Sequence, residues 1–118
     1  MEVVWHGNYL HYFEEAREAF GRKYGIGYTD VKGQAHQVPV VHSEVAYKRP
    51  LRYGDEMRVE ARFENSPAAK IIFHYSIFRL EDNALMATGK TIQVFTDFSG
   101  ELQLVLPLFF EQWKAKWL

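Results

Sequence analysis

The chain has no cysteine in 118 residues, which excludes disulfides, a thiol nucleophile and zinc–thiolate sites. It lacks net charge too: 14 basic against 15 acidic residues leave −1, so no overall electrostatic footprint exists for nucleic acid or an anionic membrane. No apolar run approaches the roughly 18–20 residues that span a bilayer, and no basic segment followed by an apolar one opens the chain. These absences lead to the expectation of a cytoplasmic protein without membrane span or nucleic-acid partner. Only four prolines interrupt it, and no repeat, linker or low-complexity segment divides it. What is present is an ordinary globular balance, 47% hydrophobic and 25% charged, with aromatics at a high 16%. That length suits one domain with a real core, and the aromatic content suggests an apolar groove or interface as well.

Periodicity divides the chain into elements. Tyr9, Phe13, Ala16, Phe20 and Tyr24 recur at steps of three or four, which predicts a helix over 9–24. Leu10, Tyr12 and Ala19 widen its apolar stripe, so more than half of it is expected to be buried. Asn8 is the expected cap, Arg22 and Lys23 suit the last turn, and Gly25 suits the exit. Residues 26–37 read as a loop around Gly27 and Gly33. The period then switches to two, predicting strands over 38–48, 57–64, 70–80 and 85–96, and a short one near 102–106. Pro107 suits the first turn of a closing helix bearing Phe109, Phe110, Trp113 and Trp117. The expected architecture is α+β: an antiparallel meander wrapped on the long helix. Ile72, Phe78 and Leu80 beside His74 and Ser76 suggest a second, partly apolar sheet face covered by a partner subunit.

The chemistry concentrates at the start. Val3-Val4-Trp5-His6-Gly7-Asn8-Tyr9-Leu10, followed by Phe13-Glu14-Glu15-Ala16-Arg17, describes a helix N-terminus. Its first backbone N–H groups lack intrahelical partners and carry partial positive charge, which suits an oxyanion forming during acyl transfer. His6 is a candidate polar contact or general acid, or contributes through its backbone beside Gly7. Glu14 is a candidate base; its alternative is an ion pair with Arg17 on the helix surface. His42 and Ser43 are candidate substrate contacts on the sheet. As strand neighbours they point to opposite faces, which disfavours a Ser–His nucleophile pair. Lys48, Arg49, Arg52 and Lys90 are candidate phosphate contacts, with ordinary solvated surface as the alternative. No metal-ligand spacing is found among the five histidines, and no cofactor is implied.

The opening run resembles the start of hot-dog-fold acyl-CoA thioesterases of the 4-hydroxybenzoyl-CoA thioesterase family. Further matches are Val40-Val41-His42-Ser43-Glu44-Val45-Ala46-Tyr47, Pro50, Gly54-Asp55, Ala87-Thr88-Gly89-Lys90-Thr91, Val94 and Leu106-Pro107. The likeness is nearest to the Tol-Pal-associated subgroup and covers nearly the whole chain as a single domain, 1–118. It implies a hot-dog fold, a homodimer or tetramer, and a site where one subunit's helix N-terminus faces the partner's strands. It implies hydrolysis of an acyl-CoA, the carbonyl polarised by backbone N–H groups around His6 and Gly7, with Glu14 in the pattern and Asn8, Tyr9, His42 and Ser43 near the substrate. The family's Asp stands seven residues before the His position, which here falls before Met1, as does the preceding strand. The favoured reading is therefore a start-site truncation, which would leave a damaged enzyme in this form; the alternative is a native short form that uses another base or none. The rivals are a non-catalytic acyl-CoA-binding or regulatory module, a hot-dog hydratase, whose Asp/Glu–His pair is not found, and a purely structural dimerisation domain.

Overall fold

The computed structural model describes residues 6–33, 36–52 and 54–118, without the side chains of residues 6–8, 28, 29 and 32. Val3, Val4 and Trp5 of the opening run lie outside the described residues. The elements are α1 (His6–Tyr24), α2 (Tyr28–Gly33), β1 (Val40–Tyr47), β2 (Met57–Glu64), β3 (Lys70–Arg79), β4 (Leu85–Thr96), β5 (Leu102–Gln103) and α3 (Leu108–Trp117).

The long helix begins three residues earlier than the apolar stripe predicts, so Asn8 lies inside the first turn and is not its cap. At the other end Gly25 adopts φ 76° and Trp113 Nε1 donates to Tyr24 O at 2.8 Å, so the last turn is closed by a left-handed glycine and by α3. The expected loop at 26–37 contains the one-and-a-half-turn helix α2. Its start is tied down where Gly27 N donates to Asp30 Oδ2 at 3.0 Å, a side chain capping a turn too short for periodicity to reveal.

The sheet is antiparallel, ordered β1-β4-β3-β2, with β5 extending the β4 pairing. The expected meander holds for β2, β3 and β4. β1, however, crosses over to pair with β4, a long-range choice that alternation along one strand cannot encode. One cross-strand row, Ala61, Tyr75, Gly89 and Val45, faces α1 and sets the register of the inner layer. Phe13 stacks on Tyr75 at 4.4 Å above this row. Phe73, Ile71, Ile77, Ala87 and Phe95 complete the inner face with Tyr9 and Leu51.

The helix is less enclosed than its sequence suggests: Leu10 is 43% exposed and Ala19 is also exposed. α3 closes the far end, Pro107 serving as its N-cap at φ −60°, ψ 144° and not as its first helical residue. Phe110 and Trp113 are stacked at 5.4 Å and pack against Phe63 and Phe95. Trp117 rests edge-on against Tyr24 while remaining 43% exposed.

The outer face carries charged residues beside the apolar ones expected, and Leu80 remains 48% exposed. Ile72 and Ser76 are buried within the single chain, and ionic pairs surround them. His42 meets Glu44 at 2.9 Å, His74 meets Glu64 at 2.7 Å, Arg58 Nε donates to Glu60 at 2.9 Å, and Arg62 donates to Ser76 Oγ at 3.1 Å. His42–Glu44 and Arg58–Glu60 lie two apart on one strand and share a face, while His74–Glu64 and Arg62–Ser76 pair diagonally across β2 and β3.

Candidate active site

α1 starts at His6, so its free N–H groups belong to the turn containing His6, Gly7 and Asn8. The side chains of these three candidates lie outside the described ones; their backbone is the first helical turn. Directly beyond, Tyr9 is buried at 2% exposure, its ring edge-on to Tyr47 at 4.9 Å. Burial pushes its phenol above the ordinary tyrosine pKa, opposed by a hydrogen bond from the Leu51 backbone. Tyr9 thus anchors the helix start to the C-terminal end of β1.

Farther along α1, a cavity of about 490 Å³ opens between the helix and the beginning of β1. Phe20, Ile26, Val38, Ile71 and Phe73 supply apolar walls, with Glu14, Arg17 and Glu18 contributed by the helix. A polar chain crosses the interior beside it. Arg17 donates to the Tyr75 hydroxyl at 3.4 Å, and that hydroxyl is 2.7 Å from Thr91 Oγ1. Gln93, 7% exposed, donates through Nε2 to Val38 O at 2.7 Å and pins the start of β1. Tyr75, Thr91 and Gln93 were not among the sequence candidates. The signal for two of them was available: Thr91 and Gln93 are polar at alternate positions of a strand face otherwise occupied by Ala87, Gly89 and Phe95.

The other candidates separate into three places. Glu14 lines the cavity rim, but its side chain is 65% exposed and the side chain 3.9 Å from it is His11, where Arg17 was the expected partner. Arg17 turns inward to Tyr75 instead. His42 and Ser43 lie on opposite faces, as alternation requires. His42 is tied to Glu44 on the outer face, and hydrogen bonding from it holds the Glu44 carboxyl below its usual range. Ser43 sits opposite Thr91 on the inner face. Lys48, Arg49 and Arg52 are exposed just beyond β1, where Lys48 N and Arg49 N both donate to Met86 O. They flank the Tyr9–Tyr47 end of the helix. Lys90 is elsewhere, half-buried on the outer face between Glu44 and His74. Among the described residues no three His, Asp or Glu side chains converge as metal ligands, and no helix is long and apolar enough to cross a membrane.

Comparison with known proteins places this arrangement. A protein of Bacillus subtilis named provisionally as an acyl-CoA thioesterase is 33% identical over 78 residues, 66% of this chain and 56% of its own. A chloroplastic acyl-acyl carrier protein thioesterase of Arabidopsis thaliana is 30% identical over 95 residues, 80% of this chain and 50% of its own. The chain thus spans only part of the length of the curated relatives it matches. Among solved structures, a DHNA-CoA thioesterase from Staphylococcus aureus superposes with a TM-score of 0.85 at 28% identity, over 98% of this chain and 79% of that one. The shared architecture is the α+β hot-dog fold expected from the sequence, although the Tol-Pal-associated subgroup does not appear among these relatives. The profile of the Thioesterase-like superfamily matches residues 1–117, and the chain belongs to that superfamily.

Proposed function

We propose that the protein hydrolyses an acyl-CoA thioester to the free acid and CoA. The observation that carries this reading is the junction of the first turn of α1 with the end of β1. Helix N–H groups without intrahelical partners and the exposed cations Lys48, Arg49 and Arg52 meet there, and the apolar cavity opens farther along the same helix. The carbonyl oxygen would lie against the N–H groups of the turn containing His6 and Gly7, where negative charge is stabilised as it develops. Water adds to the carbonyl carbon, the C–S bond breaks, and the thiolate takes the proton released by the water. Asn8 and Tyr9 border this position, Ser43 lies farther along β1 beyond Val45, and the cations beyond β1 suit the phosphates of CoA.

Glu14 lies eight residues along the helix from His6, about 12 Å along its axis. That distance removes it from a carbonyl held by its own helix start, so a base role for Glu14 would act on a substrate held by a second subunit. An open edge supports such a subunit. Among the described residues β1 has a sheet neighbour on one side only, and seven of its eight residues are exposed. A homodimer through this edge, or a tetramer built from it, fits the expectation.

Release of CoA from a panel of acyl-CoA esters tests the reading. Turnover that Glu14→Gln and His6→Ala reduce supports it. Tight binding without release would favour a non-catalytic acyl-CoA-binding module, and no binding at all a structural domain.

A further inference from the structure

The path between the proposed reacting centre and the cavity has a measurable length. α1 runs alongside β1 in the opposite sense. Tyr9 meets Tyr47 at the strand's end, Phe13 lies level with Val45, and Phe20 and Gly21 share the cavity wall with Val38 and Val40 at its beginning. The helix leaves the inner face of β1 partly open: Val40 is 42% and Tyr47 48% exposed, and Ser43 between them is exposed as well. Between the first turn of α1 and the cavity, the inner face of β1 is therefore partly exposed.

At 1.5 Å per residue, the cavity begins at Glu14, about 12 Å from His6, and reaches Gly21, about 22 Å from it. Tetrahedral carbon geometry advances an extended hydrocarbon by about 1.25 Å per carbon. About ten carbons are needed to enter the cavity from a carbonyl at the helix start, and about eighteen to reach Gly21.

The cavity walls also state what its occupant looks like. Phe20, Ile26, Val38, Ile71 and Phe73 are apolar. Arg17, Tyr75 and Gln93 beside them are engaged within the protein, Arg17 with Tyr75, Tyr75 with Thr91, and Gln93 with Val38 O, while Glu14, Glu18 and Gln37 are exposed to solvent at the rim. They make no demand for a polar substituent on the ligand, and a hydrocarbon end leaves no donor or acceptor unsatisfied. A single aromatic acyl group would stop short of Glu14 and gain nothing from the cavity. We propose that the preferred acyl group is a long unbranched hydrocarbon chain, of about twelve carbons or more, whose end occupies the cavity between α1 and the start of β1. This rests on the thioesterase reading above.

The test compares kcat/KM for butyryl-, octanoyl-, lauroyl-, palmitoyl- and benzoyl-CoA in the full chain. Each buried methylene contributes up to about fourfold, so palmitoyl-CoA is expected to exceed octanoyl-CoA by at least about tenfold. Val40→Trp, on a half-exposed edge position, and Val38→Phe as a second variant should each cut the palmitoyl-to-octanoyl ratio about tenfold. Calorimetric titration with palmitic acid gives a reading that needs no turnover; binding should be lost in both variants. A flat profile, or preference for butyryl- or benzoyl-CoA, overturns the chain-length proposal and leaves hydrolysis standing. No hydrolysis of any ester, with palmitic acid still bound in a cavity-dependent way, rejects hydrolysis and retains the cavity as a hydrocarbon site. Neither hydrolysis nor binding overturns both.

Discussion

The ring of Phe13 occupies the space that a side chain at Gly89 would need. A Cβ there would collide with the edge of that ring and crowd Glu44 O on the neighbouring strand. The closeness of α1 to the sheet, and with it the stacking of Phe13 on Tyr75, depends on the missing side chain. Gly89→Ala is therefore expected to destabilise the protein by about 1–3 kcal/mol, as overpacking does. A thermal melt should show a fall of several degrees; an unchanged midpoint would mean that α1 shifts away without cost.

Tyr75 and Thr91 form a hydrogen bond at 2.7 Å with both residues buried. Tyr75→Phe leaves the Thr91 hydroxyl without this partner and removes the anchor of Arg17. The expected loss is about 1–2 kcal/mol in denaturant titration. Tyr75→Phe combined with Thr91→Val should cost less than the sum of the two single changes, because the pair is then removed together.

At neutral pH the acid-titrating part of stability includes Asp82. Arg79 holds its carboxyl down at about 2, through hydrogen bonds at 3.0 and 2.6 Å. A depressed folded-state pKa gives stability that is present above the ordinary carboxylate value and lost as pH falls through the folded one. Asp82→Asn should lower the denaturation midpoint at neutral pH, and the difference from the native protein should shrink steadily toward pH 2. A difference that stays constant with pH would mean that the ionised carboxylate is not what the substitution removes.

Lys48 and Arg49 bear on the CoA end of the proposed substrate. The double substitution to alanine should raise KM for acyl-CoA several-fold, with a smaller change in kcat, and should weaken the dependence of KM on salt. A loss confined to kcat would place these residues at the reacting centre and not at the phosphates.

How far the sequence reached differs from element to element. The stripe through Tyr9, Phe13, Phe20 and Tyr24 names the helix face that meets the sheet, and the alternation from Met57 to Glu64 reproduces β2 residue for residue. Both are set by local periodicity, 3.6 in one case and two in the other. The start of α1 was displaced by three residues because the polar His6, Gly7 and Asn8 extend a helix without extending its apolar face. The neutral charge balance and the absence of thiols likewise needed no structure.

The outer face shows where such reading stops. Ile72, Phe78 and Leu80 suggest an apolar surface when they are read along β3 alone. The structure sets Glu64 beside Ile72 and Arg58 beside Phe78, side chains of β2 that only the register between strands brings near, and leaves Leu80, beyond β3, 48% exposed. The same holds for the candidate site. Glu14 and Arg17 invite pairing at helical spacing, but the Tyr75 hydroxyl, 58 residues away in sequence, draws Arg17 inward. The crossing of β1 to β4 and the cavity bounded by Phe20, Val38 and Phe73 have the same origin. The sequence by itself determined which faces are apolar and where the helix and strands run, because those follow from the periods of single elements. Tertiary structure alone decided which strands are neighbours, which polar groups meet inside, and how far the cavity lies from the helix start, because these depend on contacts between residues distant in the chain.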